Sequence, residues 1–511
     1  MSVERIHNLG DLIRREMDQS QLALIDLGGP VSPRHFSYAD LDERVNAVAR
    51  GLLKRGLKAG QRVSIVSANR AEYLFCHFGI MRAGLVSVPV NFKFPPALIE
   101  FVARDSDAAF VFCDSARAEQ LPEDLPKVVF DAAGSNGFDS FLDSGPFEAV
   151  RPGPEAPGMF LYTSGSTGKP KGVVLSHHSH IWVSKTRLGK NDFSAQRFLI
   201  AAPLYHMNAL SLANLSVFAH ASMVMLPQFD AKNYIRAIED YQCTWLTAVP
   251  PMIAMMLQEK DLVARTNFAT VQHLRMGSAP VSNSLVNSIR EVLPNVKITN
   301  AYGTTEGGPV VFGPHPDGRA QPLLSVGYPH PAAQIRLADG VLQMKSPGVM
   351  LGYHKAGSRE PKLSAPFTED GFYVTGDIFR VDEHGFYFFL GRADDMFVSG
   401  GENIYPSEVE RLLETHSSVQ QAAVVPLEDN IKGYKPAAFV VLKPGSDLLT
   451  EDALKQYCLK HAPAYQHPRW IWFVEALPLA STNKIDKAQL KTMAFERLEA
   501  VLGNTLRLPD E

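Results

Sequence analysis

The sequence predicts an α/β protein: a large N-terminal domain of several subdomains, with parallel sheets flanked by helices and a small β-barrel-like part, followed by a small α+β C-terminal domain. Three observations predict it. Continuous apolar, β-branched runs alternate with helix-period segments, the pattern of strands buried on both faces of a parallel sheet. The 511-residue chain exceeds what one hydrophobic core serves, so more than one domain is expected. Toward the C-terminus the pattern changes twice, first to close-spaced glycines and aromatics, then to a compact mixture of helices and strands.

From 60 to 130 the strand-like runs "RVSIV", "LVSVPV", "AAFVFCD" and "KVVF" are separated by the helical patterns "AEYLFCHFGIMRAG" and "PPALIEFVARDS". The alternation lapses across 131–158, which is rich in Gly, Pro and Asp. It resumes from about 197 to 303, with strands at "RFLIAAPL", "ASMVML", "TWLTAVP", "VQHLRMG" and "VKITNAYG", and the two blocks are expected to share one large domain. Segment 340–392 reads as short antiparallel strands. Beyond it, Ser407 and Glu410 have the spacing of a capping box for the helix "SEVERLLETH". Strands are expected at "QQAAVVP", "PAAFVVL" and "WIWFVEAL", with a helix at "TEDALKQYCLKHA". About 120 residues suffice for a small separate domain, and the boundary is placed at 392/393, giving domains 1–392 and 393–511.

Charged residues make up 20% of the chain and the formal net charge is −4. That balance gives no electrostatic footprint for nucleic acid and no polybasic patch for an anionic membrane. Cys76, Cys113, Cys243 and Cys458 are far apart and form no C-x-x-C pair, so buried thiols in a reducing compartment are expected rather than disulfides or zinc. No stretch approaches 18 uninterrupted apolar residues, and neither end carries a signal or address pattern. The expectation is a cytoplasmic monomer or homodimer whose partners are small molecules.

The stretch "YTSGSTGKPKGVVLSH", 162–177, holds three glycines and two lysines. Backbone N–H groups without a neighbouring Cβ can approach phosphate oxygens closely, and an ammonium adds charge. A P-loop needs G-x-x-x-x-G-K-[ST]. Here Thr163 stands five residues before Gly168, and Pro170 follows Lys169 where a hydroxyl should be. The flanking runs "MFLY" and "GVVLSH" read as two strands, so this is a phosphate loop of another kind.

Eight motifs then occur in order: "YTSGSTGKPKG" (162–172), "PLYHMNAL" (203–210), "GSAP" (277–280), "NAYGTTEG" (300–307), "YVTGD" (373–377), "GRADD" (391–395), "SGGENIYP" (399–406) and "STNKID" (481–486). In this series the chain resembles the adenylate-forming superfamily of acyl-CoA synthetases, luciferases and peptide-synthetase adenylation domains, from roughly residue 35 to 490. The resemblance implies ATP-dependent conversion of a carboxylic acid to an acyl-AMP, with release of pyrophosphate. A thioester with coenzyme A follows.

The resemblance also distributes roles. Thr163, Ser164, Gly165, Ser166, Thr167, Gly168 and Lys171 would hold the β- and γ-phosphates. Ser278, Ala279 and Pro280, with Asn300, Ala301, Tyr302, Gly303, Thr304 and Thr305, would complete the nucleotide pocket, Tyr302 as the plate for adenine and Thr305 at the α-phosphate. Glu306 would bind Mg²⁺, an ion that takes few carboxylates plus phosphate oxygens. Asp377 would take the ribose hydroxyls, assisted by Arg392. Lys484 is similar to the lysine that bridges the attacking carboxylate and the α-phosphate; with Glu306, Thr163 and His206 it makes up the catalytic set. Asn483 stands where the family has Gly, and Asn tolerates left-handed backbone. Asp394 resembles the hinge of a mobile C-terminal cap. Gly400 and Gly401 would leave a channel for the pantetheine of coenzyme A. Runs after "GRADD" depart from the family at "IKGYK" (431–435) and at Gln466, which bears on the cations that meet the phosphates of coenzyme A.

The acyl pocket is expected from Tyr205, His206, Arg275, Gly277, Gly303, Gly308, Pro309 and Val310. "GGPVV" is similar to the run in hydroxycinnamate- and other aryl-CoA ligases, so an aryl or arylpropenoic acid is the expected substrate, with a medium-chain fatty acid as the alternative. Free coenzyme A is the expected acceptor, with a carrier protein as the alternative.

Overall fold

A computed structural model of the chain describes residues 6–164, 169–279, 281–355, 366–399, 402–429, 433–446, 449–480 and 483–502. Its elements run β1 (Leu22–Asp26), β2 (Arg34–Ser37), α1 (Tyr38–Lys54), β3 (Arg62–Val66), α2 (Ala71–Arg82), β4 (Val86–Pro89), α3 (Pro96–Asp105), β5 (Ala108–Cys113), β6 (Lys127–Val129), α4 (Phe138–Phe141), β7 (Pro157–Ser164), β8 (Pro170–Ser176) and α5 (His177–Leu188). There follow β9 (Arg197–Ile200), α6 (Met207–Phe218), β10 (Ser222–Met225), α7 (Ala231–Asp240), β11 (Trp245–Ala248), α8 (Pro250–Gln258), α9 (Lys260–Arg265), β12 (His273–Gly277), α10 (Asn283–Val292) and β13 (Lys297–Ala301).

Two seven-stranded sheets carry this part. One has the order β13-β12-β11-β9-β10-β1-β2 and is parallel except for the β1–β2 edge. In the other, β7, β4, β3, β5 and β6 run parallel, while β8 turns back antiparallel on β7. The inner faces of both sheets share one apolar core with α1, α2, α5 and α6, so Val63, Ile65, Leu161 and Leu175 of one pack in the same cluster as Leu24, Phe198, Ile200 and Met223 of the other. The two sequence blocks therefore form one body. Both are extended by strands the alternation did not reveal: the short β1–β2 hairpin joins the second sheet, and the phosphate-loop strands join the first.

The remaining strands are β14 (Phe312–Gly313), β15 (Tyr328–Pro329), β16 (Gln334–Ala338), β17 (Val341–Lys345), β18 (Gly352–Tyr353), β19 (Tyr373–Val381), β20 (Tyr387–Arg392), β21 (Phe397–Ser399) and β22 (Glu402–Ile404). The barrel-like part takes the form of a four-stranded antiparallel sheet, β16-β17-β19-β20, and β18 completes the edge of the first large sheet against β8. Last come α11 (Pro406–Glu414), β23 (Val419–Asp429), β24 (Gly433–Leu442), α12 (Glu451–His461), β25 (Trp470–Phe473) and α13 (Lys487–Leu502). Strands β21 to β25 make one sheet whose two faces are covered by apolar clusters drawn only from residues 397 and beyond. All four cysteines are buried free thiols, which matches the sequence expectation. Among the described residues no helix is long and apolar enough to cross a membrane.

The capping box is a correction. Pro406, whose fixed φ suits the first helical position, starts α11 two residues earlier than a Ser407 cap would, and the N-cap is Tyr405, with no side-chain bond. The Ser407 hydroxyl donates to the carbonyl of Leu390, and Glu410 accepts from the N–H of Val424 at 2.9 Å. Both side chains fasten the helix to neighbouring strands rather than to its own first turn.

Candidate active site

The C-terminal ends of the parallel strands converge with the β7–β8 hairpin, where crevices of open α/β sheets form. Thr163, near the end of β7, pairs with Lys171 of β8 across the mouth of the loop. Its hydroxyl lies 3.5 Å from Glu306 Oε1. The same carboxylate oxygen accepts from Tyr353 at 3.2 Å, and β8 holds Tyr353 there through its pairing with Val173. Lys171 is exposed, with Nζ 5.6 Å from the Tyr353 ring centroid. Gly165, Ser166, Thr167 and Gly168, the side chain of Ser164, and Pro280, Gly400 and Gly401 lie outside the described residues.

Glu306 sits in a turn that closes on itself. The N–H of Gly307 donates to the Thr304 hydroxyl at 2.8 Å, and that of Gly308 to the Thr304 carbonyl at 2.9 Å. Gly308 has φ +77°, a region that disfavours a side chain. A Cβ on Gly303 would meet the carbonyl oxygen of Gly308 at 2.8 Å, so this turn can close only on glycine. Pro309 and Val310 follow it, Val310 buried.

Tyr302, at the end of β13, donates to Asp377 Oδ2 at 2.5 Å, and its ring packs edge-on against Phe379 at 4.9 Å. Asp377 pairs in register with Arg392, which donates to its other oxygen at 3.3 Å. Burial raises the Asp377 pKa, and Tyr302 and Arg392 pull it back. Arg392 also donates to both oxygens of Asp394, at 2.7 and 3.2 Å. One guanidinium therefore links the proposed ribose carboxylate to the proposed hinge.

Lys484 comes from a hairpin in which the N–H of Ala480 donates to its carbonyl at 2.7 Å. Asn483 before it has φ +59°, the left-handed conformation expected where the family has Gly. The side chain keeps solvent-accessible surface, yet protein mass around it lowers the ammonium pKa, while Asp377 and Glu306 pull it upward. Lys484 is thus exposed at its surface while neighbouring charges of the large body act on its ammonium. His206 is among the groups close enough to feel that charge. Burial, with Lys484 and Lys93 nearby, pushes its pKa down to about 3, and its Nε2 has no hydrogen-bond partner. Tyr205 is buried, its ring 4.4 Å from the imidazole.

Other expected residues are placed differently. The Asn300 amide is committed to the carbonyl of Leu324 at 3.0 Å. Ser278 is exposed at φ +65°, and Ala279 is half-buried beside it. Gly277 pairs with Ala301 at the strand ends, whereas Arg275, two residues deeper on β12, is placed beside Arg187 of α5. Tyr353, Lys93 and Arg187 were not anticipated, since each sits in an ordinary strand, loop or helix without a motif. Among the described residues no group of three or more His, Cys, Asp or Glu could hold a metal. A lone Glu306 fits Mg²⁺ shared with phosphate oxygens and no all-protein cage.

A family model described as AMP-binding enzyme matches residues 15–354, and one described as AMP-binding enzyme C-terminal domain matches 408–484. A feruloyl-CoA synthase of Amycolatopsis sp is 30% identical over 475 residues, covering 89% of this chain and 93% of that protein. The mitochondrial medium-chain acyl-CoA ligase ACSF2 of Danio rerio is 29% identical over 520 residues, covering 91% and 84%. Among solved structures, the anthranilate CoA ligase AuaEII in complex with anthranoyl-AMP superposes with a TM-score of 0.84 at 25% identity, over 97% of this chain and 99% of that one. With both models in this order along one chain, the protein belongs to the AMP-binding enzyme family, as an AMP-forming acid–CoA ligase.

Proposed function

We propose that the protein activates an aromatic or arylpropenoic acid and transfers it to free coenzyme A, residues 1–392 binding ATP and acid and residues 393–511 acting as a mobile cap. What supports this reading is that Lys484, from the C-terminal segment, lies close enough to Glu306, Asp377 and His206 for their charges to act on one another. A carboxylate oxygen attacks the α-phosphorus, the bond from that phosphorus to the bridging oxygen breaks, and pyrophosphate leaves. Lys484 spans the two anions as charge shifts between them, a task for a preorganised ammonium. Thr163 and Lys171, with the loop 164–168, hold the departing phosphates, and Tyr302, Asp377 and Arg392 fix the nucleoside. Mg²⁺ held by Glu306 would neutralise phosphate charge. His206 stays a neutral imidazole beside the reacting carboxyl. In the second step the thiol of coenzyme A attacks the acyl carbonyl and AMP leaves. The cap turns at Asp394 to bring Gly400 and Gly401 to the site.

The small, apolar wall after Glu306, with Gly307, Gly308 and Val310 buried, suits a planar ring, and the relatives named for ferulate and anthranilate support the aromatic choice. A panel of aromatic and aliphatic acids with ATP and coenzyme A, scored for thioester, tests it. Thioester from aryl acids is expected. Turnover confined to medium-chain fatty acids would replace the substrate class, and discharge only to a carrier protein would replace the acceptor.

A further inference from the structure

In the second large sheet, Thr247 of β11, Arg275 of β12 and Thr299 of β13 stand side by side in register. Leu274 and Met276, the neighbours of Arg275, are buried in the outer core with α7, α8 and α10, so alternation puts Arg275 on the opposite face, toward α5 and α6. There Arg187, near the end of α5, donates to the Ser211 hydroxyl at 3.0 Å and to its carbonyl at 3.3 Å on α6. Among the described residues the Arg275 guanidinium makes no hydrogen bond or ion pair, and no carboxylate pairs with Arg187. The Thr247 hydroxyl and both polar atoms of the Asn214 amide, on α6, are buried without partners.

The two like charges lie close enough for Arg275 to act on Arg187, and among the described residues no carboxylate pairs with either. Burial and Arg275 push the Arg187 pKa down to about 9, and burial pushes that of Arg275 down to about 10. Uncompensated interior charge of one sign is costly, and a bound anion would relieve it. Arg275 and Arg187 are both half-buried, so each residue keeps some accessible surface.

Two independent rulers place this pair relative to the chemistry. Arg275 lies two residues below Gly277, whose partner Ala301 adjoins Tyr302, a drop of roughly 7 Å at the rise of a strand. Ser211 lies five residues into α6 from its N-cap His206, again about 7.5 Å at the rise of a helix.

We propose that Arg187 and Arg275 receive a second anionic group of the acid substrate, so that the enzyme selects acids bearing a carboxylate or similar oxyanion roughly 7–10 Å from the carboxyl that is activated. The inference rests on the acid–CoA ligase reading and narrows it. The distal anion stays unreacted because it is held away from Lys484, and the planar forks of two arginines suit a carboxylate.

The test compares naphthalene-2,6-dicarboxylic, 4-carboxycinnamic and suberic acids, each against its distal monoamide, by kcat/KM for thioester formation and by the rise in melting temperature on binding. At least one diacid is expected to exceed its monoamide by about 100-fold or more and to raise the melting temperature where the amide does not. Arg275→Gln and Arg187→Gln should bring that ratio within a few-fold of one, with Arg275→Lys retaining part of it. No diacid preferred in either readout would overturn the proposal, as would variants that lower diacid and amide equally and leave the ratio intact. If no acid drives pyrophosphate release, the ligase reading fails separately, and the melting shift given by the diacids alone still decides whether the anion site exists.

Discussion

The phenolic hydroxyl of Tyr302 donates a 2.5 Å hydrogen bond to the carboxylate of Asp377, 75 residues farther along the chain. Two residues that sequence motifs assign to different parts of a nucleotide, the base and the ribose, are thus one unit. The bond stabilises the charged form of a carboxylate whose burial favours the protonated one. Tyr302→Phe keeps the aromatic plate and removes the donor, so the Asp377 pKa rises further. We expect kcat/KM for ATP to fall about 10-fold, the loss of one hydrogen bond to a charged group, and its acidic limb to move to higher pH. A pH profile unchanged from wild type would contradict the role.

In the proposed mechanism Lys484 supplies charge where two anions meet. Lys484→Ala should reduce acyl-AMP formation by about 100- to 1000-fold, the cost of about 3–4 kcal/mol for a lost preorganised charge. Thioester formation from chemically prepared acyl-AMP should proceed at close to the wild-type rate. Equal loss in both half-reactions would show that the lysine supports the fold of the hairpin instead.

The clamp between Arg392 and Asp394 ties the proposed hinge residue to the carboxylate at Asp377. Hinges work by absorbing φ/ψ change, and proline removes that freedom. Asp394→Pro is expected to spare pyrophosphate exchange and to stop thioester formation. Normal overall turnover in this variant would exclude the hinge.

The parallel sheets were legible because strands buried on both faces are written as unbroken apolar runs, and the phosphate-loop hairpin because its flanking strands are apolar too. Asn483 was legible as a left-handed residue from its place in a motif alone. Other features carry no local signal. Ser407 and Glu410 have the right spacing for a capping box, but local spacing says nothing of the Leu390 carbonyl or the Val424 N–H that claim them. Strands β1 and β2 stand apart from the strand–helix alternation that marked strands of equal length elsewhere, so nothing local separated them from loop. Arg187 reads as one more helix-surface cation; only the tertiary fold shows that it is opposed by Arg275. The Tyr302–Asp377 bond is equally silent, since each residue is explained by its own motif.

Three histidines in the shared core set the acid stability of the large body. His77, His177 and His180 are buried in and beside α2 and at the start of α5, and burial pushes their pKa values down to about 3, 4 and 4. The Nδ1 of His177 accepts the Leu9 N–H at 3.0 Å, a bond that protonation of that nitrogen would end. In the unfolded chain each binds a proton near pH 6.5, so between that value and about 4 the unfolded state carries more protons than the folded one. Stability therefore rises with pH across this window and is lost as pH falls, by about 1.4 kcal/mol per pH unit for each histidine. Glu414, whose pKa burial raises to about 8, acts in the opposite direction, because its folded form retains a proton that the unfolded chain releases above about pH 4.5. His206, pushed down to about 3, adds a fourth site of the same sign, and one opposing group leaves the histidines in control between pH 4.5 and 6.5. The guanidinium midpoint, followed by circular dichroism, should fall steeply from pH 6.5 to 4.5. His180 has both ring nitrogens without partners, so His180→Leu removes one of these proton sites together with an unpaired buried group. It should flatten that dependence and raise the midpoint at pH 5. A midpoint constant across the window, or a slope unaltered in His180→Leu, would show that these imidazoles gain protons without unfolding.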